Sequence, residues 1–304
     1  MNIYLDTSHF QKWQQRKLSP HELSILDSLV SSETNKFIIS IVHIFEIVER
    51  EDWQRAIELS KFLDKLPIRW CCSPVDLERK ELKYAINKFK NLQIFQIDPF
   101  VKDFVDTLEP EISSWLQTCV TYRGASIEKI IVDLVSDKKI KREGLLTTEK
   151  ICRWAYNNSI IIDEMTDVQM KEKQIQKNLI RVIKDNISRF NLVYEIIDAV
   201  ISEKRRIVDP IDVFVKWLMR NPNLIPSIWC PYYTQHFMLR DSKMNWKKSH
   251  FRDLGHLAAL PYVNYLSVDK QIYSFAMHAL KFAKRHIPVD WNKKLITSVK
   301  EICI

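Results

Sequence analysis

Glycine is nearly missing from this chain: Gly124, Gly144 and Gly255 are the only three in 304 residues. A Walker loop or a dinucleotide fingerprint needs two or three glycines close together so that backbone can approach phosphate. These three are far apart, which argues against ATP, GTP and NAD chemistry of those kinds. Glycine scarcity also disfavours an all-β fold with many tight turns and points to helices. The six cysteines, Cys71, Cys72, Cys119, Cys152, Cys230 and Cys303, contain no C-x-x-C pair. That removes the usual zinc signature and reads as reduced thiols in a cytoplasmic protein. The N-terminus MNIYLDTSHF has no basic segment followed by a long apolar one, so no signal peptide is expected. The most apolar early run, Phe37 to Val48, is interrupted by His43 and Glu46 and is too short to span a bilayer, so no membrane partner is expected.

What is present suits a globular protein with an anionic partner. Apolar residues make up 46% and aromatics 11%, enough for a sizeable core. The formal charge of +8 favours nucleic acid first and a membrane surface second.

The N-terminal part alternates strands and helices. Asn2 to Leu5 reads as a strand closed by Asp6-Thr7-Ser8, which is good helix-cap chemistry. A helical region to about Ser31 precedes a second short strand, Phe37-Ile38-Ile39. The helix from Ile41 places Ile44, Phe45, Ile47 and Val48 toward the core, with Glu46 among them; alone, Glu46 reads as an acid facing water. A helix over Trp53–Leu66, a strand over Ile68–Cys72 and a helix over Asp76–Phe89 continue the α/β order.

The middle is mostly helical, with the clearest stripe at Ile175, Leu179, Val182, Ile183, Ile187, Phe190, Val193, Ile197 and Val200, a packing face. Lys138–Arg142, Lys171–Lys177, Lys204–Arg206 and Lys247–Lys248 are basic clusters. Singly each reads as a solvated face; several in one region suggest a phosphate-binding surface. Trp229, Tyr232 and Tyr233 read either as base-stacking rings or as packing in a structured loop.

Near the C-terminus, RDLGHLAALPYVNYLSVD runs from Arg252 to Asp269. Asp253 is expected to open a short apolar helix that Pro261 stops. Tyr262 to Val268 reads as a strand buried on both faces, and Asp269 closes it. A helix over Gln271–Arg285 and a last strand over Val299–Ile304 follow.

Asp6, Glu46, Asp253 and Asp269 are ordinary singly, yet right-handed crossovers in a parallel sheet bring their places to one edge, where ligands collect. Converging carboxylates repel unless a cation joins them, and hard oxygen ligands select Mg²⁺ or Mn²⁺. Metals held this way suit phosphodiester hydrolysis.

The chain resembles the PIN-domain nucleases, metal-dependent and mostly RNA-cutting enzymes. The resemblance rests on N-I-Y-L-D-T-S at 2–8, S-I-V-H-I-F-E at 40–46, D-L-G-H-L-A-A-L-P-Y-V at 253–263 and L-S-V-D-K at 266–270. It implies a PIN-like α/β core with a central, mostly parallel sheet flanked by helices, formed by residues 1–95 and 247–304. Residues 96–246 are then a basic, all-helical insertion subdomain. It implies that Asp6, Glu46, Asp253 and Asp269 are the catalytic set holding one or two Mg²⁺ or Mn²⁺ ions. Thr7, Ser8, His256 and Lys270 are then candidate substrate contacts, although His256 and His43 read more readily as hydrogen-bonded packing residues than as phosphate contacts, since neither makes a zinc-type ligand set. The expected activity is endoribonucleolytic. The alternatives are a flap or single-strand DNA nuclease on the same site and a non-catalytic nucleic-acid-binding scaffold. The resemblance leaves room for a homodimer and for an inhibitory or effector protein partner. Toxin, defence and RNA-processing roles share this chemistry.

Overall fold

Alternation along the two central strands decides the architecture. Ile3, Leu5, Phe37 and Ile39 enter one hydrophobic core, while Tyr4 and Ile38 between them enter another. Successive side chains of a strand point to opposite faces, so the sheet they build is covered on both sides. The computed structural model describes residues 1–50, 52–92, 96–107, 122–136, 168–201, 209–239, 241, 248–283, 291 and 293–302. Six strands form one sheet: β1 (Asn2–Tyr4), β2 (Lys36–Ile39), β3 (Ile68–Cys71), β4 (Phe100–Val101), β5 (Tyr265–Ser267) and β6 (Leu295–Ile296). Their order is β4-β3-β2-β1-β5-β6. Every pairing is parallel except that of β3 with β4. Ile3 lies opposite Phe37 on one side and Tyr265 on the other.

In chain order the helices are α1 (Thr7–Gln14), α2 (Pro20–Ser31), α3 (Ile41–Val48), α4 (Trp53–Leu63), α5 (Pro74–Phe89) and α6 (Ile127–Ser136). They continue with α7 (Val168–Arg189), α8 (Val193–Ile201), α9 (Pro210–Arg220), α10 (Pro226–Leu239), α11 (Lys248–Leu257) and α12 (Lys270–Ala283). The core built on Ile3, Phe37 and Ile39 takes residues from α1 to α4 and α6; the opposite core takes residues from α5 and α7 to α12. Among the described residues no helix is long and apolar enough to cross a membrane. Cys71, Cys72 and Cys230 are buried free thiols.

Several elements differ from the sequence expectation for identifiable reasons. Asp253 does not open its helix: α11 begins at Lys248, so Asp253 sits inside it. The helix ends at Leu257, before Pro261, and a 3-10 turn at Leu260–Tyr262 takes Tyr262, the first residue expected in the strand. The strand itself is only Tyr265–Ser267. The last strand is Leu295–Ile296; Val299–Glu301 is a 3-10 turn capped by Ser298 and Glu301. The stripe from Ile175 onward is divided between α7 and α8, because Asn191 adopts a left-handed φ of 55°. Asn tolerates that conformation at a helix C-terminus, and the Leu192 N–H closes back on the Ile187 carbonyl at 2.9 Å. The span 96–246 also gives β4 to the sheet, so it is not wholly helical. Phe45 is 37% exposed and faces out from α3.

Of the aromatic trio, Trp229 is buried and stacks on Trp291, ring centroids 5.6 Å apart and planes 6° from parallel. The Tyr232 hydroxyl donates to the Ile175 carbonyl. Both are packing residues, on α10 rather than in a loop. The basic clusters 138–142 and 204–206 lie outside the described residues; Lys173 and Lys177 are exposed on α7.

Candidate functional site

The chain leaves β1 toward β2 on one side, and β5 later joins β1 on the other. Where strand order switches direction, a crevice opens at the carboxyl ends of the two strands. Asp6 follows β1 and Asp269 follows β5, one on each side of that switch point. The two ends are tied directly: the Asp6 N–H donates to Ser267 Oγ at 2.8 Å. Ser267 Oγ in turn lies 3.3 Å from His9 Nδ1, and burial holds the His9 pKa below its ordinary value, partly offset by Asp6.

Both acids have a local task that fixes one oxygen. Asp6 caps α1, with Oδ1 accepting from the Ser8 N–H at 2.6 Å. Asp269 Oδ1 accepts from the Ile272 N–H at 2.8 Å in the first turn of α12. Acids suit such positions because the first N–H groups of a helix lack partners and its N-terminal end is positive. In each case Oδ2 takes no hydrogen bond from the described residues.

Glu46 and Asp253 arrive on helices that lie against each other. A Cβ built on Gly255 of α11 would stand 3.3 Å from Val42 Cγ2 of α3, so this glycine permits the close approach. Glu46 is largely buried, and both of its contacts fall on Oε2: the Thr7 hydroxyl donates to it, and His256 Nε2 stands 3.3 Å away as an ion-pair contact. Oε1 is left without a bond from the described residues. Burial would raise the Glu46 pKa, but the His256 charge and the bonds from His256 and Thr7 outweigh it and hold the carboxyl at about 2.

Asp253 is the counterpoint. It is 6% exposed and makes no hydrogen bond or ion pair with the described residues. Burial raises its pKa most, His256 opposes, and the negative charges of Asp6, Asp269 and Glu46 add to the rise, leaving it at about 8. Asp6, Asp269 and Glu46 are thus the acids whose charges act on Asp253. Glu46 is no surface acid, and its burial among partners corrects the water-facing reading.

Beneath the acids runs a buried polar chain. His256 Nδ1 lies 2.6 Å from the Tyr4 hydroxyl, which lies 2.6 Å from Ser40 Oγ. His43 Nδ1 accepts from the Ser40 N–H at 3.1 Å, and its Nε2 donates to the Leu5 carbonyl at 2.8 Å. Burial, aided by His256, lowers the His43 pKa to about 4, so this ring is neutral and the tautomer follows from its partners. His256 is fully buried. Its Nε2 meets the acids through Glu46. Among the other expected contacts, Thr7 is buried on Glu46, while Ser8 and Lys270 are exposed beside Asp6 and Asp269.

Two arginines complete the surroundings, and sequence reading missed both. Arg252 pairs with Glu49 and feels Glu46 and Asp253. Arg50 feels Glu46 and Asp6. The available signal was spacing, since Arg50 lies one helical turn beyond Glu46 and Arg252 directly precedes Asp253. Tyr4, Ser40 and Ser267 were also missed; their signal was a polar group set in or beside an apolar strand.

Among the described residues no three acid, histidine or cysteine side chains stand as a ready-made metal ligand set. The donor chemistry nevertheless fits a hard divalent cation: among the described residues three carboxylates each have one oxygen fixed and one open, and Asp253 makes no hydrogen bond or ion pair. Comparison with protein-family models, with curated proteins and with solved structures returned no match.

Proposed function

We propose that the chain is a metal-dependent nuclease with a PIN-like core, hydrolysing phosphodiester bonds in RNA at the acids gathered over β1 and β5. The observation that supports this most is the division of labour within the carboxylates. Asp6, Glu46 and Asp269 are each anchored through one oxygen, leaving the other without a bond from the described residues. Carboxylates that act on one another repel, and a cation bound between their open oxygens would relieve that repulsion.

In this reading Asp6, Glu46, Asp253 and Asp269 hold Mg²⁺ or Mn²⁺, which supplies Lewis acidity and positive charge for attack on phosphorus when bound. The chain's own contributions are positional. Thr7 and His256 fix the rotamer of Glu46, and the caps of α1 and α12 fix Asp6 and Asp269. Asp253 must be ionised to act as a ligand, so the cation and a proton compete for it. The formal charge of +8 favours a polyanionic substrate. RNA is the expected polymer; DNA on the same site is the neighbouring reading.

Incubation of labelled tRNA, unstructured RNA and single-stranded DNA with the full chain in Mn²⁺, Mg²⁺ or EDTA tests this. RNA should be cut with either metal and not in EDTA. Preferential cutting of DNA moves the assignment to the neighbouring reading. Salt-sensitive binding with no cutting under any condition removes the enzymatic one and leaves a binding scaffold.

A further inference from the structure

Arg50 is an anomaly in the charge pattern of the site. It follows the last turn of α3 and is half-buried, and its Nε is shut off from solvent with no hydrogen-bond partner. A guanidinium has five N–H donors and is costly to bury unpaired. Arg252 pairs with Glu49, whereas Arg50 makes no ion pair with the described residues, although Glu46 and Asp6 are the charges that act on it. It is thus held in the field of two site carboxylates without bonding to either.

A cation kept beside acids but out of contact with them fits a third charged group that enters between. We propose that Arg50 binds the substrate, its guanidinium donating hydrogen bonds to a non-bridging phosphate oxygen of the nucleic-acid strand adjacent to Asp6 and Glu46. This rests on the nucleic-acid reading given above. The planar fork matches a phosphate in a way a lysine ammonium does not. It also explains why burial of Nε is tolerated: the fork is preorganised for an anion.

The test is binding without catalysis. Fluorescence anisotropy of a labelled, unstructured RNA oligonucleotide is measured in EDTA over a range of salt concentrations with the wild-type chain, Arg50→Gln, Arg50→Lys and Arg69→Gln. Arg69 is exposed on β3, over the Phe100 ring, and removes the same charge elsewhere. Arg50→Gln should weaken binding roughly tenfold or more, as expected for loss of a charge-assisted hydrogen bond. It should also flatten the plot of log affinity against log salt by about 0.7, the value for one phosphate contact on a single strand. Arg50→Lys should keep the salt slope and lose part of the affinity, while Arg69→Gln should match wild type.

Thermal melting in the same buffer separates a substrate role from a structural one. Arg50→Gln should melt no lower than wild type, since an unpaired donor is removed. Unchanged binding by Arg50→Gln, or equal losses in Arg50→Gln and Arg69→Gln, overturns the assignment. A melting point several degrees lower with unchanged binding makes Arg50 a structural counter-ion and overturns it as well. A wild-type chain that binds no RNA at low salt contradicts the nucleic-acid reading itself, which is a different failure.

Discussion

The Asp6 N–H donates to Ser267 Oγ at 2.8 Å, across 261 residues of sequence, and so pins together the carboxyl ends of the two adjacent strands that carry Asp6 and Asp269. Both groups are buried, and the serine hydroxyl is the only side-chain acceptor this N–H has among the described residues. Ser267→Ala leaves a buried donor unpaired. It should cost about 1–3 kcal/mol in urea denaturation and lower kcat/KM for cleavage. A variant as stable and as active as wild type would show that the strand ends need no such tie.

Asp253 carries the repulsion of the site. Its carboxyl is raised to about 8, by burial first and then by Asp6, Asp269 and Glu46. A raised carboxyl contributes stability fully present below its unfolded pKa and lost as pH rises through the folded one. Asp253→Asn removes that loss, so in EDTA at pH 8 it should melt higher than wild type, by roughly 2–4 °C for each kcal/mol relieved. Near pH 4 the two should converge. Added Mn²⁺ should raise the melting point of wild type and have little effect on the variant.

Glu81 offers a second pH-dependent group, away from the acids. It is fully buried on α5, where it accepts from the Ser227 N–H at 2.9 and 3.0 Å and from the Tyr262 hydroxyl at 2.6 Å. It thereby joins α5, the start of α10 and the turn before β5. Burial raises its carboxyl to about 8 against these hydrogen bonds. The contribution is present below the ordinary glutamate range and lost as pH rises through about 8. Glu81→Gln should therefore show a smaller fall in denaturation free energy between pH 6 and pH 9 than wild type. Equal slopes would contradict a carboxyl titrating at this place.

Much of the sheet was legible because β1, β2 and β3 are short apolar runs with acids or serines at their ends. β4 and β6 were not, being two residues each. Two-residue strands carry no periodicity, and only their partners make them strands. The places of Asp6 and Asp269 were legible because strand ends and helix starts leave local marks, whereas Glu46 and Asp253 lie inside helices. Asp253 was misplaced within its helix because the polar residues before it, Lys248 to Arg252, hide the helical start. The His256–Tyr4–Ser40–His43 chain was legible only in its two histidines, read as hydrogen-bonded packing residues, and not as a chain. Its members lie up to 252 residues apart in sequence, and a buried tyrosine in a strand looks like any apolar residue until its hydroxyl finds a partner. Phe45 was misjudged for a simpler reason: α3 is apolar on nearly every side, so its outward face is not marked by charge.

The most direct test of the central claim compares wild type with Asp6→Asn and Asp269→Asn in metal-dependent cleavage of labelled RNA. Asparagine caps a helix about as well as aspartate, so these changes keep the bonds from Ser8 and Ile272 and remove the charge alone. Each variant should fold as wild type does by circular dichroism and lose cleavage in both Mg²⁺ and Mn²⁺. Cleavage that persists in both folded variants would contradict the account and place the activity elsewhere.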